Sequence, residues 1–398
     1  MKAKLLLLSL LLLGNSFWLF SQSCLQYNPG QMGSGSNPVI NEILATIDKD
    51  SLISVMQSMV NLGTRFMYAE NRREVAGWIA SKFTSYGYSD VVLDSFKVVG
   101  ETVPEDSVWQ YNVVATFEGA SAPGEIYIVS AHHDDYVNPD PHQPAPGADD
   151  NASGTAVALE IARVLKEKGF SPASTIRFVT FAAEELMGYV HYTGSLNYAN
   201  KIEQSQEDLR LMVCNDMVAY DDGTPFEIWS VDTETGNSAW TADLTTWCVT
   251  EYTDLSLFLG PYPPSDGTFF MEKGYCVAGF QERKLNPFYH TSGDSVTNCT
   301  MDYCLEAAIA TAAVLLHEQF TPVPQEPSCI PGKSNVTVTW KPTANAHVKA
   351  YAIYRSADPD SGFSVLAQTA GADSFYVDST AVAGTDYYYY ITSIDQDD

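Results

Sequence analysis

The sequence Ile126-Tyr-Ile-Val-Ser-Ala-His-His-Asp-Asp135 begins the segment that decides the fold, and this segment extends to Glu185. Its first six residues are mainly apolar and β-branched, which predicts a buried strand, and polar side chains follow that strand at once. A second apolar run, residues 176–181, is also followed by polar residues, Glu184 and Glu185. Because ligands of open α/β sheets bind at the ends of strands, the segment predicts a site at one sheet edge.

Between these two strands the sequence predicts a loop and then a helix. The loop ends in Pro146-Gly-Ala-Asp-Asp-Asn-Ala-Ser-Gly154, which is rich in turn-forming residues. A helical pattern runs from Thr155 to Lys168, with apolar residues on one face: Val157, Ile161, Val164 and Leu165. Helices and strands continue to alternate as far as Leu316, which predicts an α/β fold.

Five side chains in and beyond this segment are of the types that bind zinc: His132, Asp149, Glu185, Asp216 and His290. Two histidines and three carboxylates would hold two zinc ions about 3.5–4 Å apart if one carboxylate bridges them. Such a pair polarises a carbonyl and lowers the pKa of a water molecule between the ions. A general base must then accept the proton of that water, and Glu184, beside a candidate ligand, is the natural candidate.

Each of these residues alone has a structural interpretation that is more common than the functional one. Most carboxylates in a chain with 49 acidic residues are surface charges, and a single histidine on a strand is usually structural. The order of the local motifs changes this balance. His-x-Asp follows one strand, Gly-Ala-Asp-Asp-Asn-Ala-Ser-Gly precedes a helix, Glu-Glu follows another strand, and His-Thr-x-Gly-Asp comes late in the chain.

In these motifs the chain resembles the co-catalytic dizinc exopeptidases of clan MH, of the bacterial leucyl aminopeptidase, aminopeptidase S and aminopeptidase Y type. The resemblance covers roughly residues 40–320. It implies a three-layer α/β/α sandwich with a mixed central sheet. It also implies a zinc-dependent metallo-aminopeptidase, with two zinc ions per chain, whose substrates are peptides or proteins with a free N-terminus.

The resemblance implies a role for each residue that matches a ligand motif. His132 and Asp216 would hold one zinc ion, Glu185 and His290 would hold the other, and Asp149 would bridge them. Ser-Ala-His-His-Asp-Asp stands where the family usually has Gly-Gly-His-x-Asp-Ser, so either histidine can begin a His-x-Asp pattern. His132 is preferred because a small residue then precedes it and the aspartate then aligns.

The resemblance also assigns residues around the metals. Glu184 would be the general base, and Asp134 would lie behind His132 and orient its imidazole. The peptide bond between Asp149 and Asp150 would be cis. Tyr262 would help to polarise the scissile carbonyl, although the cysteine pair that flanks this tyrosine in some relatives is absent. The Ser-Asp-His of the family is Ser-Asp-Gly at residues 265–267, which changes a pocket wall more than the metals.

The net charge limits the possible partners, and the N-terminal sequence predicts the compartment. A formal net charge of −28 argues against nucleic acid and anionic membranes as partners. Lysines at positions 2 and 4 precede the leucine run of residues 5–13, which predicts a signal peptide over residues 1–23 and a secreted protein, extracellular or periplasmic. The run is short for a membrane span. Lipidation of Cys24 is the alternative, but residues 20–23 lack the usual leucine.

The composition predicts five segments in all. After the signal peptide come a linker at 24–39, the zinc exopeptidase domain at 40–320 and a proline-rich linker without strand potential at 321–332. Short alternating runs over 333–398 predict a β-sandwich that resembles a fibronectin type III module. A final strand would normally begin where the sequence stops, so either the natural chain is longer or the module is incomplete. We expect this module to bind a surface or another domain. Cys299 and Cys304 are near enough in sequence to pair, and the connectivity of the seven cysteines stays open.

Two other functions compete with the aminopeptidase. A single-zinc glutaminyl cyclase-like transferase or a carboxypeptidase would use the same fold, but Asp216 and the Asp149-Asp150 pair favour two metals. A catalytically inactive binding protein would have lost a ligand or Glu184, and all of these are present.

Overall fold

Helices and strands alternate through most of the chain in the structure, a computed structural model that describes residues 22–24, 37–98, 108–185, 193–223, 226–231, 239–260, 264–358 and 361–395. The helices are α1 Pro38–Leu44, α2 Lys49–Val60, α3 Arg72–Ser85, α4 Gly154–Glu167, α5 Gly194–Ser205, α6 Ala239–Tyr252, α7 Gly267–Glu272 and α8 Met301–Phe320. The strands are β1 Gln22–Cys24, β2 Asp90–Val98, β3 Val108–Phe117, β4 Ala122–His132, β5 Ser174–Phe181, β6 Asp208–Asp216, β7 Glu227–Val231, β8 Ser256–Gly260, β9 Val277–Glu282, β10 Gln325–Pro331, β11 Val336–Lys341, β12 Val348–Ser356, β13 Ser364–Ala370, β14 Phe375–Asp378 and β15 Tyr387–Asp395.

Within the described residues, eight strands form one large mixed sheet in the order β2-β3-β5-β4-β6-β9-β7-β8. The four central strands β5, β4, β6 and β9 are parallel to one another. Strand β2 pairs antiparallel with β3, β3 with β5, and β7 with β9. The parallel strands are covered on both faces, as their nearly continuous apolar sequences require. Their carboxyl ends meet at one edge, where the predicted site residues follow.

Helices cover both faces of this sheet and so form three layers. Along β4 the side chains alternate: Tyr127 and Val129 join the core under α2, α3, α4, α6 and α8, whereas Ile126 and Ile128 join the core under α5 and α7. Helix α4 is buried almost all round because it lies between the sheet, α2 and α8. The predicted α/β fold with a mixed central sheet is therefore confirmed.

The C-terminal region forms two small sheets that pack face to face. One has the order β10-β11-β14 and the other, with β1 at its edge, has the order β1-β15-β12-β13. Their shared core is rich in aromatic and β-branched side chains, among them Trp340, Tyr351, Ile353, Tyr389 and Ile391. The predicted signal peptide, residues 1–23, lies outside the described residues except for the backbone of residues 22 and 23.

Two features of the chain beyond residue 298 differ from what the sequence suggests. The proline-rich stretch 321–332 contains strand β10, which tolerates Pro327 and Pro331 because it is an edge strand with an irregular register. Cys299 and Cys304 are reduced and do not pair with each other. The thiol of Cys304 is buried against the sheet core, and that of Cys299 donates to the carbonyl of Ser295.

Among the described residues, no helix has the length and apolar character that crossing a membrane would require.

Glu125, at the amino end of β4, joins the C-terminal sheets to the large sheet. Its two carboxylate oxygens accept from the Thr343 hydroxyl at 2.8 and 2.7 Å, and one also accepts from the amide of Ala344 at 3.0 Å. The guanidinium of Arg210 lies 3.0 Å from the same carboxylate, and both side chains are buried. The contact lies at the opposite end of β4 from His132.

We expect Glu125→Ala to lower the free energy of unfolding by about 3 kcal/mol, because the buried Arg210 guanidinium then loses its main partner. Urea unfolding of the full chain measures this loss. Exposed Glu118→Ala serves as the control and should change stability by less than about 0.5 kcal/mol. Equal effects of the two substitutions would mean that the Glu125 contacts contribute nothing.

His317 in α8 makes stability depend on pH. Burial lowers the pKa of this histidine from 6.5 to about 3. The folded state therefore takes up a proton later than the unfolded state, so stability is complete above pH 6.5 and falls as the pH drops. Relative to His317→Gln, the wild type should lose about 1.4 kcal/mol per pH unit below 6.5. Urea unfolding at about pH 7 and about pH 5 tests this, and parallel loss in both proteins would contradict it.

Candidate metal centre

Asp150 lies at the centre of the site because two histidines approach its two carboxylate oxygens. Nε2 of His132 is 3.3 Å from Oδ1, and Nε2 of His290 is 3.2 Å from Oδ2. His132 is the last residue of β4, and His290 lies in the loop between β9 and α8. Three distant parts of the chain thus meet at one carboxylate.

Asp216 and Glu185 complete two groups of three among the described residues. Oδ1 of Asp216, the last residue of β6, lies 3.2 Å from Nε2 of His132. Oε2 of Glu185, which follows β5, lies 2.8 Å from Nε2 of His290. In each group the three candidate ligand atoms lie within 4.8 Å of one another: His132, Asp150 and Asp216 in one, and Asp150, Glu185 and His290 in the other. Asp150 belongs to both groups.

The shared position expected for Asp149 is therefore taken by Asp150, which belongs to both groups, whereas Asp149 belongs to neither. The carboxylate of Asp149 points away from both histidines and accepts from the amide of Ala219 at 2.8 Å and from Nδ2 of Asn286 at 2.9 Å. The backbone around them forms a kinked turn, Ala148–Ser153, in which Asp150 has a non-helical conformation with φ −105° and ψ 94°. The cis peptide bond also follows Asp150 and joins it to Asn151, one position later than expected.

Asp294 holds the backbone of this turn. Its two carboxylate oxygens accept from the amides of Asp149 at 3.0 Å and of Asp150 at 3.1 Å. Because Asp294 follows His290 by four residues, it connects the loop of one candidate ligand to the turn of another. Burial and the neighbouring Asp149 raise the pKa of Asp294 to about 8.

Asp134 lies behind His132 and also supports the glutamate pair. Its Oδ1 is 3.6 Å from Nδ1 of His132. The same carboxylate accepts from the amides of Glu184 at 3.1 Å and Glu185 at 3.2 Å. Asp134 therefore contacts the segments of both groups. The alternative His133 points elsewhere, with Nδ1 at 3.1 Å from the hydroxyl of Thr180, and burial lowers its pKa to about 4.

The backbone adopts left-handed conformations at three positions beside the candidate ligands. Ala183 has φ 62° before Glu184, Met217 has φ 53° after Asp216, and His290 itself has φ 55°. Non-glycine residues rarely adopt positive φ, and such positions cluster at functional sites. The ring of His290 is held between Tyr289, stacked at 3.7 Å, and Tyr136, edge-on at 5.0 Å.

Glu184 belongs to neither group but lies beside the first. Its Oε2 is 4.0 Å from Nε2 of His132, and its side chain is 12% exposed, so it reaches solvent. Burial and the nearby Asp216 and Asp266 raise the pKa of Glu184 well above its ordinary value, against the opposite effect of His132. Tyr262, the other expected catalytic residue, lies outside the described residues.

The residues fit a divalent cation on two observations. Within the described part of the chain, two buried polar atoms of the groups make no hydrogen bond: Oε1 of Glu185, and Nε2 of His290, which lies 2.8 Å from Oε2 of Glu185 without the geometry of a hydrogen bond. Burial and the charge of Asp150 raise the pKa of Glu185 well above its ordinary value, because several carboxylates share a small volume. Histidine and carboxylate ligands of this kind suit zinc.

Sequence reasoning missed several residues that shape the groups. Ser265 donates from its hydroxyl to Oδ2 of Asp216 at 2.6 Å. Asp266 is fully buried nearby, and burial raises its pKa to about 7. Asp294 lay within the quoted His-Thr-x-Gly-Asp motif, so a signal for it existed. For Ser265 the only signal was its place in the Ser-Asp-Gly motif.

Comparisons with known proteins identify the family. The model of peptidase family M28 matches residues 112–315. The probable leucine aminopeptidase of Trichophyton verrucosum is 28% identical over 299 residues, which cover 71% of this chain and 75% of that protein. A probable zinc metalloprotease of Pyrenophora tritici-repentis is 34% identical over 205 residues, 46% of this chain and 45% of that protein.

The fold is also that of a solved structure. LapB from Legionella pneumophila superposes with a TM-score of 0.60 at 22% identity, over 74% of this chain and 78% of that chain. The family match covers 204 of 398 residues (112 to 315) and includes the five residues of the two groups. The chain therefore belongs to peptidase family M28 and is a metallopeptidase.

Proposed function

We propose that this chain is an exported aminopeptidase that uses two zinc ions to remove N-terminal residues from peptides. The observation that carries the proposal is the position of Asp150, whose carboxylate belongs to both groups of candidate ligands. A shared carboxylate is what a pair of neighbouring metal ions requires. The names of the relatives, leucine aminopeptidase and zinc metalloprotease, support the same reaction class.

In this proposal His132 and Asp216 would hold one zinc ion, Glu185 and His290 would hold the other, and the carboxylate of Asp150 would be shared. Zinc ions there would polarise the scissile carbonyl and lower the pKa of a water molecule. Asp134 orients the His132 ring from behind, since its carboxylate faces Nδ1 and leaves Nε2 directed at Asp150 and Asp216.

Glu184 is the proposed general base. It lies at the open side of the first group, and its backbone is fixed by the hydrogen bond from its amide to Asp134. It accepts the proton of the attacking water and passes that proton to the leaving amine. Tyr262 is proposed as a donor to the developing oxyanion on its sequence motif alone.

The compartment and the C-terminal region complete the proposal. The leucine-rich N-terminus supports a signal peptide over residues 1–23, and the disulfide of Cys329 fits an exported protein, because such bonds persist outside the cytosol. The C-terminal sheets are proposed to be a fibronectin type III-like module, separated from the peptidase domain near residue 321, that binds a surface or another domain.

Zinc analysis of the purified chain beside a substrate panel tests this function. The panel contains aminoacyl-p-nitroanilides, their N-acetylated forms, a peptide with a blocked N-terminus, and a peptide that begins with glutamine. We expect two zinc ions per chain and chelator-sensitive cleavage of the free anilides only. Release of C-terminal residues from the blocked peptide would mean a carboxypeptidase. One zinc ion with cyclisation of the N-terminal glutamine would mean a cyclase, and a chain that binds no metal and cleaves nothing would mean a binding protein.

A further inference from the structure

Arg65 lies far from the ligand motifs in sequence, in the connection between α2 and α3, and outside the residues that match the family model. Its residue is only 2% exposed. Burying an arginine costs free energy unless its N–H donors have acceptors and its charge has a counter-charge. The partners of Arg65 therefore indicate which part of the structure it stabilises.

The partners of Arg65 are the two ends of the loop that separates His132 from Asp150. Nε donates to the carbonyl of His133 at 2.8 Å. Nη1 donates to the carbonyl of Pro146 at 3.0 Å, and Nη2 donates to the carbonyl of Gly147 at 2.7 Å. One planar guanidinium thus joins the residue after the first candidate ligand to the residues just before the shared one.

Asp135 balances the charge of this buried guanidinium. Its Oδ2 lies 3.0 Å from Nη1 of Arg65, and both side chains are fully buried. Its Oδ1 accepts from the backbone amide of Arg65 at 2.8 Å. The carboxylate therefore fixes both the backbone and the side chain of Arg65, so the guanidinium has one orientation.

Gly147 is shaped to let the guanidinium approach. Its φ is +49°, and a Cβ atom there would lie 2.6 Å from Nη2 of Arg65 and 2.6 Å from Cβ of Asp135. Any side chain at this position would push the arginine away from the carbonyls it binds. The loop end, the arginine and the aspartate are thus packed without spare room.

We propose that Arg65 is a positioning residue that closes the loop of residues 133–147 and so sets His132 and Asp150 at the separation that metal binding needs. The inference rests on the proposed metal centre. Closing a loop of this length costs conformational entropy, which the three hydrogen bonds and the Asp135 pair offset. Arg65 touches none of the five candidate ligand side chains, so it acts only through the backbone that carries them.

Arg65→Lys in the full chain is the first test, because lysine keeps the charge beside Asp135 but cannot bind three carbonyls in one plane. We expect zinc affinity, measured by competition with a chelator at a temperature well below melting, to fall about 10- to 100-fold. With zinc in excess, kcat should fall by about tenfold, because the displaced loop misplaces the ligands. KM should change by less than about threefold, because the contacts with the substrate stay as they are.

The second variant combines Arg65→Met with Asp135→Asn and so removes both buried charges together. The asparagine keeps a side-chain oxygen that can accept from the backbone amide of residue 65. This double variant should fold and still bind zinc weakly. Arg73→Lys, at an exposed arginine over Tyr111, is the matched control and should behave as the wild type.

The outcomes separate this inference from the proposed function. Wild-type chain that binds no zinc overturns both. Wild-type chain that binds two zinc ions, with either Arg65 variant binding them at wild-type affinity and with wild-type kcat, overturns the positioning role alone. Weaker zinc binding in both variants, at unchanged far-ultraviolet circular dichroism and with a normal Arg73→Lys control, supports it.

Discussion

Glu184→Gln is expected to keep both zinc ions and to lower kcat by about 10³-fold, the size of effect that a positioned general base supplies. The amide of glutamine has nearly the shape of the carboxylate but cannot accept the proton of the attacking water. Metal content should not change, because Glu184 belongs to neither group of candidate ligands and its Oε2 lies 4.0 Å from Nε2 of His132. Hydrolysis of an aminoacyl-p-nitroanilide and zinc analysis on the same sample measure the two effects.

Two controls make this result specific to Glu184. Glu185→Gln, one residue away on the same turn, should lose zinc, because Oε2 of Glu185 lies 2.8 Å from His290 in the second group. Glu203→Gln on the exposed surface should change neither zinc content nor kcat. Near-normal kcat in Glu184→Gln would remove Glu184 from the mechanism, and loss of zinc would make it a ligand.

The sheet and its helices were predictable because their signals are local. Strand β4 is apolar because it is buried on both faces of the sheet, and α4 has helically spaced apolar residues because it is buried almost all round. Burial selects the residue type at each position, so the pattern can be recognised within a short stretch of sequence. Of the two adjacent histidines, His132, the last residue of β4, lies in a group with Asp150 and Asp216, whereas His133, the next residue, faces Thr180 instead.

The choice between Asp149 and Asp150 could not be read from the sequence. Side-chain direction there depends on a kinked turn whose backbone Asp294 holds from a distant loop, and the Asp-Asp pair itself does not indicate that contact. Arg65 was missed for a related reason. It binds the backbone carbonyls of His133, Pro146 and Gly147. Every residue has such a carbonyl, so the sequence does not show which ones accept from Arg65.

Strand β10 shows the limit of composition as a guide to structure. Prolines indicate a linker because they cannot donate to a ladder, and residues 321–332 contain several. At a sheet edge this objection weakens, because one side of the strand has no partner strand. Whether a stretch lies at an edge is set by the order of all the strands, which local composition does not report.

Asp150→Asn and Asp149→Asn form a matched pair of adjacent isosteric substitutions with opposite expected effects. Asp150→Asn should lower zinc affinity by at least about 100-fold and abolish turnover, because it removes the charge shared by both groups.

Asp149→Asn should still bind two zinc ions, because the carboxylate of Asp149 faces Ala219 and Asn286 and neither histidine. The substitution Asp149→Asn should instead lower the free energy of unfolding by about 1–3 kcal/mol. The NH₂ group of the new side chain would face the NH₂ group of Asn286, and two donors cannot form a hydrogen bond with each other. Chelator competition and urea unfolding on both variants separate the two kinds of loss. The reverse pattern, with zinc lost in Asp149→Asn and retained in Asp150→Asn, would return the bridging role to Asp149 and contradict the geometry of the site.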